Sequence, residues 1–290
     1  MSRALITLDP TPIATPRRPL DIGSYEFEID DGVICCGSDQ HYRPDEPPST
    51  AHRAFVQTVS RFAEEGTLRA VVLGVDAFDF PAISKHPRIM WEQQPSIAAE
   101  IAVVQAWMEE IKSVAGLACE SIFIMGNHDQ RLSSKISAAC PELEGVHGMD
   151  LRDHLDPDWT VCWEAIANGP GINAVEFRHR HKSGHGAGRN NVLAAGRSVI
   201  SGHTHHLNCT RVSNSLGHFW GVDTGTMAAL GSKAFRAYTE MAQTGWASGF
   251  VVLAFAGGKL LVPEIAMVVD EEAGLVAFRG ELIRVGSAVH

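Results

Sequence analysis

Four short polar clusters, each directly after an apolar run, constrain the fold of this chain more than any other feature. The clusters are Asp39-Gln40-His41, Asp76-Ala77-Phe78-Asp79, Gly126-Asn127-His128-Asp129 and Gly202-His203-Thr204-His205. The runs before them, at 33–36, 71–73, 122–125 and 198–200, have the length and composition of buried strands. Strand ends of an α/β sheet face one crevice, so the sequence predicts that the four clusters converge.

The residue types in these clusters are those that bind divalent transition metals. Carboxylate, imidazole and amide oxygen are accepted as ligands by Mn, Fe, Ni and Zn. An extended segment places Asp39 and His41 on the same side, and His203 and His205 have the same spacing after a glycine. Each pair alone also occurs in ordinary polar loops. Four clusters after four apolar runs favour a metal site.

The composition limits the other functions that the chain can have. A chain of 290 residues with 45% hydrophobic content can bury a large core, and its formal net charge of −10 argues against a broad basic surface for nucleic acid. The six cysteines have no regular spacing, which favours free thiols over a disulfide framework. Because no apolar run approaches the roughly 20 residues of a membrane span, we expect a cytoplasmic protein without membrane contact.

The order of predicted elements indicates an α/β chain with one main domain. Residues 1–24 are expected to form a loosely ordered N-terminal arm, and residues 25–290 a single domain with a cap or insertion at about 141–172. Ser49-Thr50 can cap a helix, and residues 97–114 carry a helical apolar stripe. Beyond Leu207 short β segments dominate. This order predicts two packed mixed β-sheets flanked by helices.

The four clusters, in this order, resemble the motifs of the calcineurin-like metallophosphoesterase family. The family pattern is D-x-H, G-D-x-x-D, G-N-H-D/E, a strand-end histidine and G-H-x-H, and the resemblance extends over about residues 33–225. Arg131, the run Asp223-Thr224-Gly225 and the pair Gly245-Trp246 are similar to the bacterial and phage-encoded branch. Val75 departs from the pattern, because the family has glycine there. The resemblance implies a four-layer αββα sandwich.

The resemblance also implies which side chains hold two divalent metal ions. Asp39, His41 and His205 would bind the first ion, Asp76 would bridge both ions, and Asn127 and His203 would bind the second. Asp79 would support the loop without binding an ion. Manganese is the expected metal, with iron, nickel and zinc as alternatives.

One further ligand of the second ion has three candidates in the sequence. The family has a histidine followed by glycine at the end of a strand, and the candidates here are His179, His181 and His185. Only His185 precedes a glycine, but it lies well past the apolar run 175–177. Because His179 lies where that run ends, we expect it to be the ligand, with His181 as the next candidate.

The implied reaction is the hydrolysis of phosphate esters, with phosphodiesters favoured over monoesters. A hydroxide held between the ions would attack phosphorus, His128 would protonate the leaving oxygen, and Asp129 would orient His128. Positive charge near the substrate would come from Arg131, Arg178, Arg180 and Lys182. The alternatives are a phosphomonoesterase or protein phosphatase, a nuclease without a dedicated nucleic-acid module, and an inactive metal-binding scaffold. The intact pair of His128 and Asp129 favours an enzyme.

Overall fold

The computed structural model describes residues 22–286 except 87, 89–92, 171–173, 185, 233–234, 237–238 and 240–242. Most of the expected arm, 1–24, therefore lies outside the described residues, and the first strand begins at Ser24. No helix in the described ranges is long and apolar enough to cross a membrane.

The described residues form fifteen strands in two sheets. In chain order these are β1 (Ser24–Glu28), β2 (Gly32–Gly37), β3 (Leu68–Gly74), β4 (Glu120–Ile124), β5 (Thr160–Cys162), β6 (Glu164–Asn168), β7 (Val175–Arg178), β8 (Ser198–Ser201), β9 (Leu207–Asn214), β10 (Gly217–Thr224), β11 (Gly249–Ala256), β12 (Lys259–Leu260), β13 (Glu264–Asp270), β14 (Leu275–Phe278) and β15 (Glu281–Arg284). The first sheet has the order β1-β6-β7-β8-β10-β9. The second has the order β15-β14-β13-β11-β2-β3-β4-β5, with β12 paired to β11. Both sheets mix parallel and antiparallel pairs.

Parallel pairing brings the carboxyl ends of the strands before the polar clusters to one place. Strands β2, β3 and β4 are parallel neighbours in the second sheet, and β7 and β8 are parallel neighbours in the first. The end of β3 approaches the end of β7, since a Cβ added to Gly74 would lie 4.0 Å from the carbonyl oxygen of Arg178. The loops that follow all five strands therefore meet where the two sheets face each other.

Four α-helices among the described residues cover the outer faces of the sheets. They are α1 (Thr50–Glu64), α2 (Ile97–Ala115), α3 (Arg131–Ala139) and α4 (Ala187–Ala195). The Ser49 side chain accepts the His52 N–H and caps α1, and the Ser96 side chain caps α2 in the same way. Helices α1 and α2 pack on the second sheet, and α4 packs on the first.

Apolar side chains fill three interfaces between these layers. Between the sheets, Ile34 and Ile122 of the second sheet belong to one buried cluster with Phe177 and Ile200 of the first. Behind the second sheet, α1 and α2 supply Phe55, Val59, Val104 and Ile111, among others, to a second cluster. A small third cluster joins α4 to β9 and β10. The predicted sandwich of two mixed sheets flanked by helices is confirmed.

Beyond Leu207 the chain forms mainly short strands, as the sequence predicts. The segment 259–268 is divided into β12 and β13, because Pro263 between them has no N–H for a strand ladder. The segment 275–282 is the hairpin of β14 and β15. Within 141–172, where a cap or insertion was expected, residues 160–168 supply β5 and β6, one to each sheet. Single 3-10 turns at Pro141–Leu143 and Leu151–His154 precede them.

Candidate metal centre

The polar clusters converge at the junction of the two sheets. The structure brings the expected ligands together from the ends of β2, β3, β4, β7 and β8 in two groups. The first ligand group is Asp39, His41 and His205, whose ligand atoms lie within 4.8 Å of one another. The second ligand group is Asp76, His179 and His203, which meet the same limit, together with Asn127 beside His179.

Two glycines make this convergence sterically possible. A Cβ added to Gly126 would lie 2.1 Å from Oδ1 of Asp76, and a Cβ added to Gly202 would lie 2.7 Å from Oδ2 of Asp39. Real Cβ atoms do not approach other atoms this closely. The glycine in each cluster is therefore needed for space rather than for an unusual backbone angle.

Backbone strain is concentrated at the candidate ligands. Seven described residues other than glycine have a positive φ, and five of them are expected ligands: Asp39, His41, Asp76, His203 and His205, with φ between 46° and 79°. Each such residue costs about 1–3 kcal/mol, and strain of this kind clusters where function requires it. Loops that served only to connect strands would have no reason to retain it.

In the first ligand group, hydrogen bonds fix one carboxylate oxygen of Asp39 and direct the other into the cage. Oδ2 accepts from the Ser38 hydroxyl at 2.5 Å and from the His203 N–H at 2.8 Å. Oδ1 is buried without a hydrogen-bond partner and faces His205 Nε2 at 3.1 Å. Nε2 of His205 is in turn 3.3 Å from Nε2 of His41. Three ligand atoms therefore point at a common centre.

In the second ligand group, a backbone carbonyl orients the central histidine. Nδ1 of His179 lies 3.1 Å from the Gly74 carbonyl oxygen, which can only accept, so Nδ1 carries the proton. The lone pair is then on Nε2, which lies 3.1 Å from Asn127 Oδ1 and 3.3 Å from Asp76 Oδ2. The His203 ring lies 5.3 Å from the His179 ring and closes the group on its more exposed side.

The spacing of these atoms fits a metal ion in each group. Ligand atoms bound at about 2.0–2.2 Å to one ion lie roughly 2.8–3.6 Å apart in octahedral or tetrahedral geometry. The Asp39–His205, His41–His205, His179–Asn127 and His179–Asp76 separations are 3.1, 3.3, 3.1 and 3.3 Å. Nitrogen and oxygen donors without thiolate suit Mn, Fe, Ni or Zn. The residues present therefore fit the implied ions.

Asp79, expected only as loop support, orients two histidines. Its Oδ1 lies 2.8 Å from Nδ1 of His128 and 3.2 Å from Nδ1 of His41. Burial raises the pKa of Asp79, but hydrogen bonds from His128 and His41 outweigh burial and hold that pKa well below its usual value. The ionised carboxylate can only accept, so each Nδ1 carries a proton and each Nε2 is directed into the site. Although these three side chains could also form a metal group, their contacts are those of hydrogen bonds.

Asp129 does not orient His128, and that expectation was wrong. The Asp129 carboxylate is fully buried and accepts four backbone N–H groups, those of Asp76, Ala77, Phe78 and Gly126, at 2.7–3.2 Å. The chain turns at Gly126 so that Asp129 faces back toward the loop after β3, away from the neighbouring imidazole. Asp129 therefore holds the loop that carries Asp76, and Asp79 of that same loop performs the orienting role.

The carboxylates change the protonation of the candidate ligands. Burial lowers the pKa of His41 and of His179, but contacts with Asp79 and Asp76, respectively, outweigh burial and raise each pKa to about 9. Burial and the neighbouring His179 lower the pKa of His203 to about 4. A cation entering the cage must displace the protons of His41 and His179, so metal binding is expected to release protons.

The structure distinguishes two of the three candidates for the remaining ligand. His179 is 3% exposed and contacts Asp76, whereas the partly exposed His181 belongs to neither ligand group. The third candidate, His185, lies outside the described residues. Val75, where the family pattern has glycine, is fully buried and donates its N–H to the Ile124 carbonyl at 3.1 Å. The loop keeps its path because the valine side chain joins the core behind the second sheet.

The four basic residues expected near the substrate have different surroundings. Arg178 forms ion pairs with Glu164 and Glu176, so its charge is already neutralised. Arg131 donates to the Asp79 carbonyl oxygen at 2.5 Å and supports that loop. Arg180 is exposed and close enough to lower the pKa of His203, and Lys182 is exposed on the following loop. Of the four, Arg180 is the best placed to meet an anion at the second ligand group.

Sequence reasoning missed three residues that complete the site. Glu100, at the start of α2, is buried and its Oε1 accepts the N–H groups of Asp79 and Phe80 at 3.2 and 2.8 Å. Phe235 and Trp246 lie against the histidines of the first ligand group. The Gly245-Trp246 pair was recognised as similar to a family branch, but nothing in the spacing connected Trp246 to His205.

Comparison with known proteins gives similar folds at very low identity. No family model and no curated protein matches the chain. Among solved structures, a single mutant of Vps29 from Entamoeba histolytica is 12% identical, with 87% of this chain and 98% of that chain covered and a TM-score of 0.43. Wild-type Vps29 from the same organism, in complex with Zn2+, is 11% identical, with coverages of 88% and 99% and a TM-score of 0.43. Chaetomium thermophilum Vps29 is 11% identical, with coverages of 87% and 95% and a TM-score of 0.42.

Proposed function

We propose that this protein is a metal-dependent phosphoesterase that holds two divalent cations and hydrolyses phosphodiesters in preference to monoesters. The observation that carries the proposal is a ligand cage with an oriented imidazole beside it: Nδ1 of His128 lies 2.8 Å from Asp79, next to the two converging ligand groups. A metal-binding scaffold needs only the cage. General acid catalysis needs, in addition, an imidazole held at the edge of the cage.

Each ligand group would hold one cation, with Asp76 between them. The backbone N–H of His128 donates to Oδ1 of Asp76 at 2.7 Å, and Oδ2 of Asp76 faces His179. When bound, the two cations would neutralise charge on the phosphate oxygens and acidify a water molecule for attack on phosphorus. Among the metals that accept this donor set we propose Mn, since carboxylate and amide oxygens contribute as well as imidazoles.

His128 would protonate the oxygen that leaves phosphorus. Its Nδ1–H donates to Asp79, so Nε2 is the nitrogen that can reach a substrate. In the imidazolium form, Nε2–H gives its proton to the leaving oxygen, and the neutral ring keeps its bond to Asp79. Burial lowers the pKa of His128 despite the opposing effect of its hydrogen bond to Asp79. The imidazolium is therefore a stronger acid than that of free histidine, which favours this transfer.

The charges around the cage support a diester substrate. A diester phosphate carries one negative charge at neutral pH, whereas a monoester carries about 1.5–2. Arg178 is neutralised by two glutamates and Arg131 is bonded to a backbone carbonyl, while the Asp79 carboxylate adds negative charge next to His128. The lower charge of a diester needs less compensation from side chains.

The test is the substitution His128→Ala, with His181→Ala as the control. Elemental analysis should find two ions per chain in both variants. On a diester with an alkyl leaving group, His128→Ala should lower kcat by roughly 10²–10⁴, the scale of general acid catalysis. On bis-p-nitrophenyl phosphate the loss should be smaller, because p-nitrophenolate leaves without a proton. His181→Ala should retain wild-type rates.

Three results would contradict parts of this proposal. Equal losses on both leaving groups would show that His128 does not act as the acid. A wild-type protein that binds two ions but hydrolyses neither bis-p-nitrophenyl phosphate nor p-nitrophenyl phosphate would be a metal-binding scaffold. Faster hydrolysis of p-nitrophenyl phosphate than of the diester would reverse the substrate preference.

A further inference from the structure

Two aromatic rings form a corner against the first ligand group. The Phe235 ring lies 5.6 Å from the His41 ring and 5.8 Å from the His205 ring, and the Trp246 ring lies 4.6 Å from His205. The planes of Phe235 and Trp246 meet at 84°, with ring centroids 5.9 Å apart. Both side chains are partly exposed. This pair, the aromatic corner, is therefore open to a ligand at the cage.

Backbone contacts on both sides fix Trp246 to the loop that carries the ligands. His206 Nδ1 lies 2.7 Å from the Gly245 carbonyl oxygen, and Ala247 donates its N–H to the His205 carbonyl at 3.0 Å. A Cβ added to Gly245 would lie 2.7 Å from Cε1 of His206, so the glycine permits this close approach. The indole is thus held at a defined position relative to His205.

Phe235 lines a cleft beside the first ligand group. It lines this cleft with His41, Asp79 and Arg43. Ser232 accepts the Phe235 N–H at 3.3 Å, and Thr239 donates to the Phe235 carbonyl at 3.0 Å, so the backbone of Phe235 is bonded on both sides. The corner is therefore made of two separately anchored rings.

The aromatic corner lies on a different side of the cage from the second ligand group. Its rings contact His41 and His205, whereas Asn127, His179 and His203 form the opposite group. The proposed acid, His128, contacts Asp79 and lies edge-on to His41. A diester has one arm that leaves beside His128 and one arm that stays on phosphorus. Because His128 is to protonate the oxygen of the leaving arm, the retained arm is the one left for the corner.

We propose that the aromatic corner binds a planar ring on the retained arm of the substrate, so that nucleoside phosphodiesters are the preferred class. This inference rests on the proposed phosphodiesterase function. Aromatic side chains stack on nucleobases whatever their sequence, and they favour flat rings over small alkyl groups. In the reaction, water adds to phosphorus, the bond from phosphorus to the leaving oxygen breaks, and the products are a nucleoside monophosphate and an alcohol or phenol.

The experiment compares substrates that share one leaving group. The p-nitrophenyl diesters of thymidine 5′-phosphate, phenyl phosphate and methyl phosphate all release p-nitrophenol and differ only in the retained arm. The wild-type kcat/KM should be about 10–100-fold higher for the thymidine substrate than for the methyl substrate, the range expected for one stacked base. The phenyl substrate separates a requirement for any flat ring from a preference for a nucleobase.

The variants test whether the ring itself is recognised. Trp246→Leu and Phe235→Leu keep apolar bulk but remove the flat surface, and each should reduce the ratio of thymidine to methyl kcat/KM about 10-fold while two ions per chain are retained. Trp246→Phe keeps a flat ring and, unlike Trp246→Leu, should retain most of the preference for the thymidine substrate. If leucine variants lose activity equally on all three substrates, the corner only packs against the ligand histidines and the proposal is wrong.

A binding measurement separates this proposal from the proposed function. Calorimetry with the metal-loaded protein should show tighter binding of thymidine 5′-phosphate than of methyl phosphate, and Trp246→Leu should remove the difference. Wild-type protein that hydrolyses all three diesters equally and binds both phosphates equally would overturn the aromatic site and leave the phosphodiesterase intact. Protein that hydrolyses none of them, although it holds two ions, would overturn the phosphodiesterase, and the calorimetry would still decide whether the corner binds a base.

Discussion

The two ligand groups of the candidate metal centre are supported in different ways. In the first group, a side chain orients His41, through Nδ1 and Asp79 at 3.2 Å. In the second group, the backbone orients His179, through Nδ1 and the Gly74 carbonyl at 3.1 Å. The loop with Asp76 is also held through its backbone, because the Asp129 carboxylate accepts its N–H groups.

Because the supports differ, substitutions in the two groups should affect different properties: mainly stability in the second group, and mainly activity at Asp79. Asp129 and Gly74 support the second group by contacts that also close the loop after β3, so changes there should affect folding. In the described part of the chain, Oδ1 of Asp79 forms hydrogen bonds with two imidazoles, one in the cage and one outside it. Changes at Asp79 should therefore affect the activity of both histidines together, and they should lower the stability less than changes at Asp129, which accepts four backbone N–H groups.

The largest expected effect is at Asp76, where the two groups are proposed to meet. Asp76→Asn removes the proposed bridge, and the lost stabilisation of several kcal/mol corresponds to a fall in kcat of about 10²–10⁴. Elemental analysis should find that at least one ion is lost while circular dichroism shows a folded protein. Asp158→Asn, at the exposed partner of Lys112, is the control. Two retained ions in Asp76→Asn would refute the bridge.

Asp79→Asn should have an intermediate effect on activity and little effect on the fold. An amide can still contact one imidazole, but it cannot accept from both Nδ1–H groups as a carboxylate does. Loss of a carboxylate behind a ligand histidine typically lowers metal affinity or activity about 10–100-fold. Metal titration and kcat should show this loss, with a smaller fall in the midpoint of thermal unfolding than in Asp129→Asn.

The matched substitution Asp129→Asn should give the opposite pattern. In the wild type, the carboxylate accepts hydrogen bonds from backbone N–H groups. In the variant, the amide NH2 group would face some of these N–H groups, and each unsatisfied buried group costs about 1–3 kcal/mol. Denaturant unfolding should show a lower free energy of unfolding than in Asp79→Asn. If Asp79→Asn is the less stable of the two, the proposed division between stability and chemistry is wrong.

The smallest expected effect is a change in the pH dependence of stability at Glu100. Burial raises the pKa of Glu100 to about 7, above its ordinary value of 4.5. The folded state therefore binds this proton more tightly than the unfolded state, and the free energy of unfolding falls as pH rises from 4.5 to about 7. Glu100→Gln keeps an acceptor for the N–H groups of Asp79 and Phe80 without the charge.

The measurement is denaturant unfolding of Glu100→Gln and wild type at two pH values. At pH near 8 the variant should be more stable by about 1–3 kcal/mol, since one pKa unit corresponds to about 1.4 kcal/mol. At pH near 4 the difference should disappear. A variant that is less stable than wild type at both values would show that the Glu100 charge is not a cost to folding.

The sequence predicted the convergence of the candidate ligands better than the contacts that support them, for a physical reason. A candidate ligand such as Asp39 or His203 follows an apolar strand, and strand ends converge whatever the details of the loops. The partner of His128 was assigned wrongly because Asp129 is its neighbour in sequence, whereas Asp79 reaches it from the loop of another strand. Contacts between loops depend on tertiary structure and leave no local pattern.

The contrast between local sequence patterns and tertiary contacts also explains which other parts of the structure were predicted and which were missed. Helix α3 was missed because it is only nine residues long and buries a single side chain, Leu132. By contrast, the buried stripe of α2 predicted that helix closely. Phe235 and Trp246 come to His205 from a distant part of the sequence, and their role could only be inferred once the rings were located.

The most direct test of the central claim is a crystal structure of the protein grown with Mn2+, with anomalous scattering to locate the ions. The account predicts two ions about 3.5–4 Å apart, one in each ligand group, with Asp76 bound to both and Nε2 of His179 about 2.0–2.2 Å from the second ion. His128 should bind neither ion. A single ion held by His41, Asp79 and His128, or a second ion bound by His181 or His185 with His179 turned away, would contradict it.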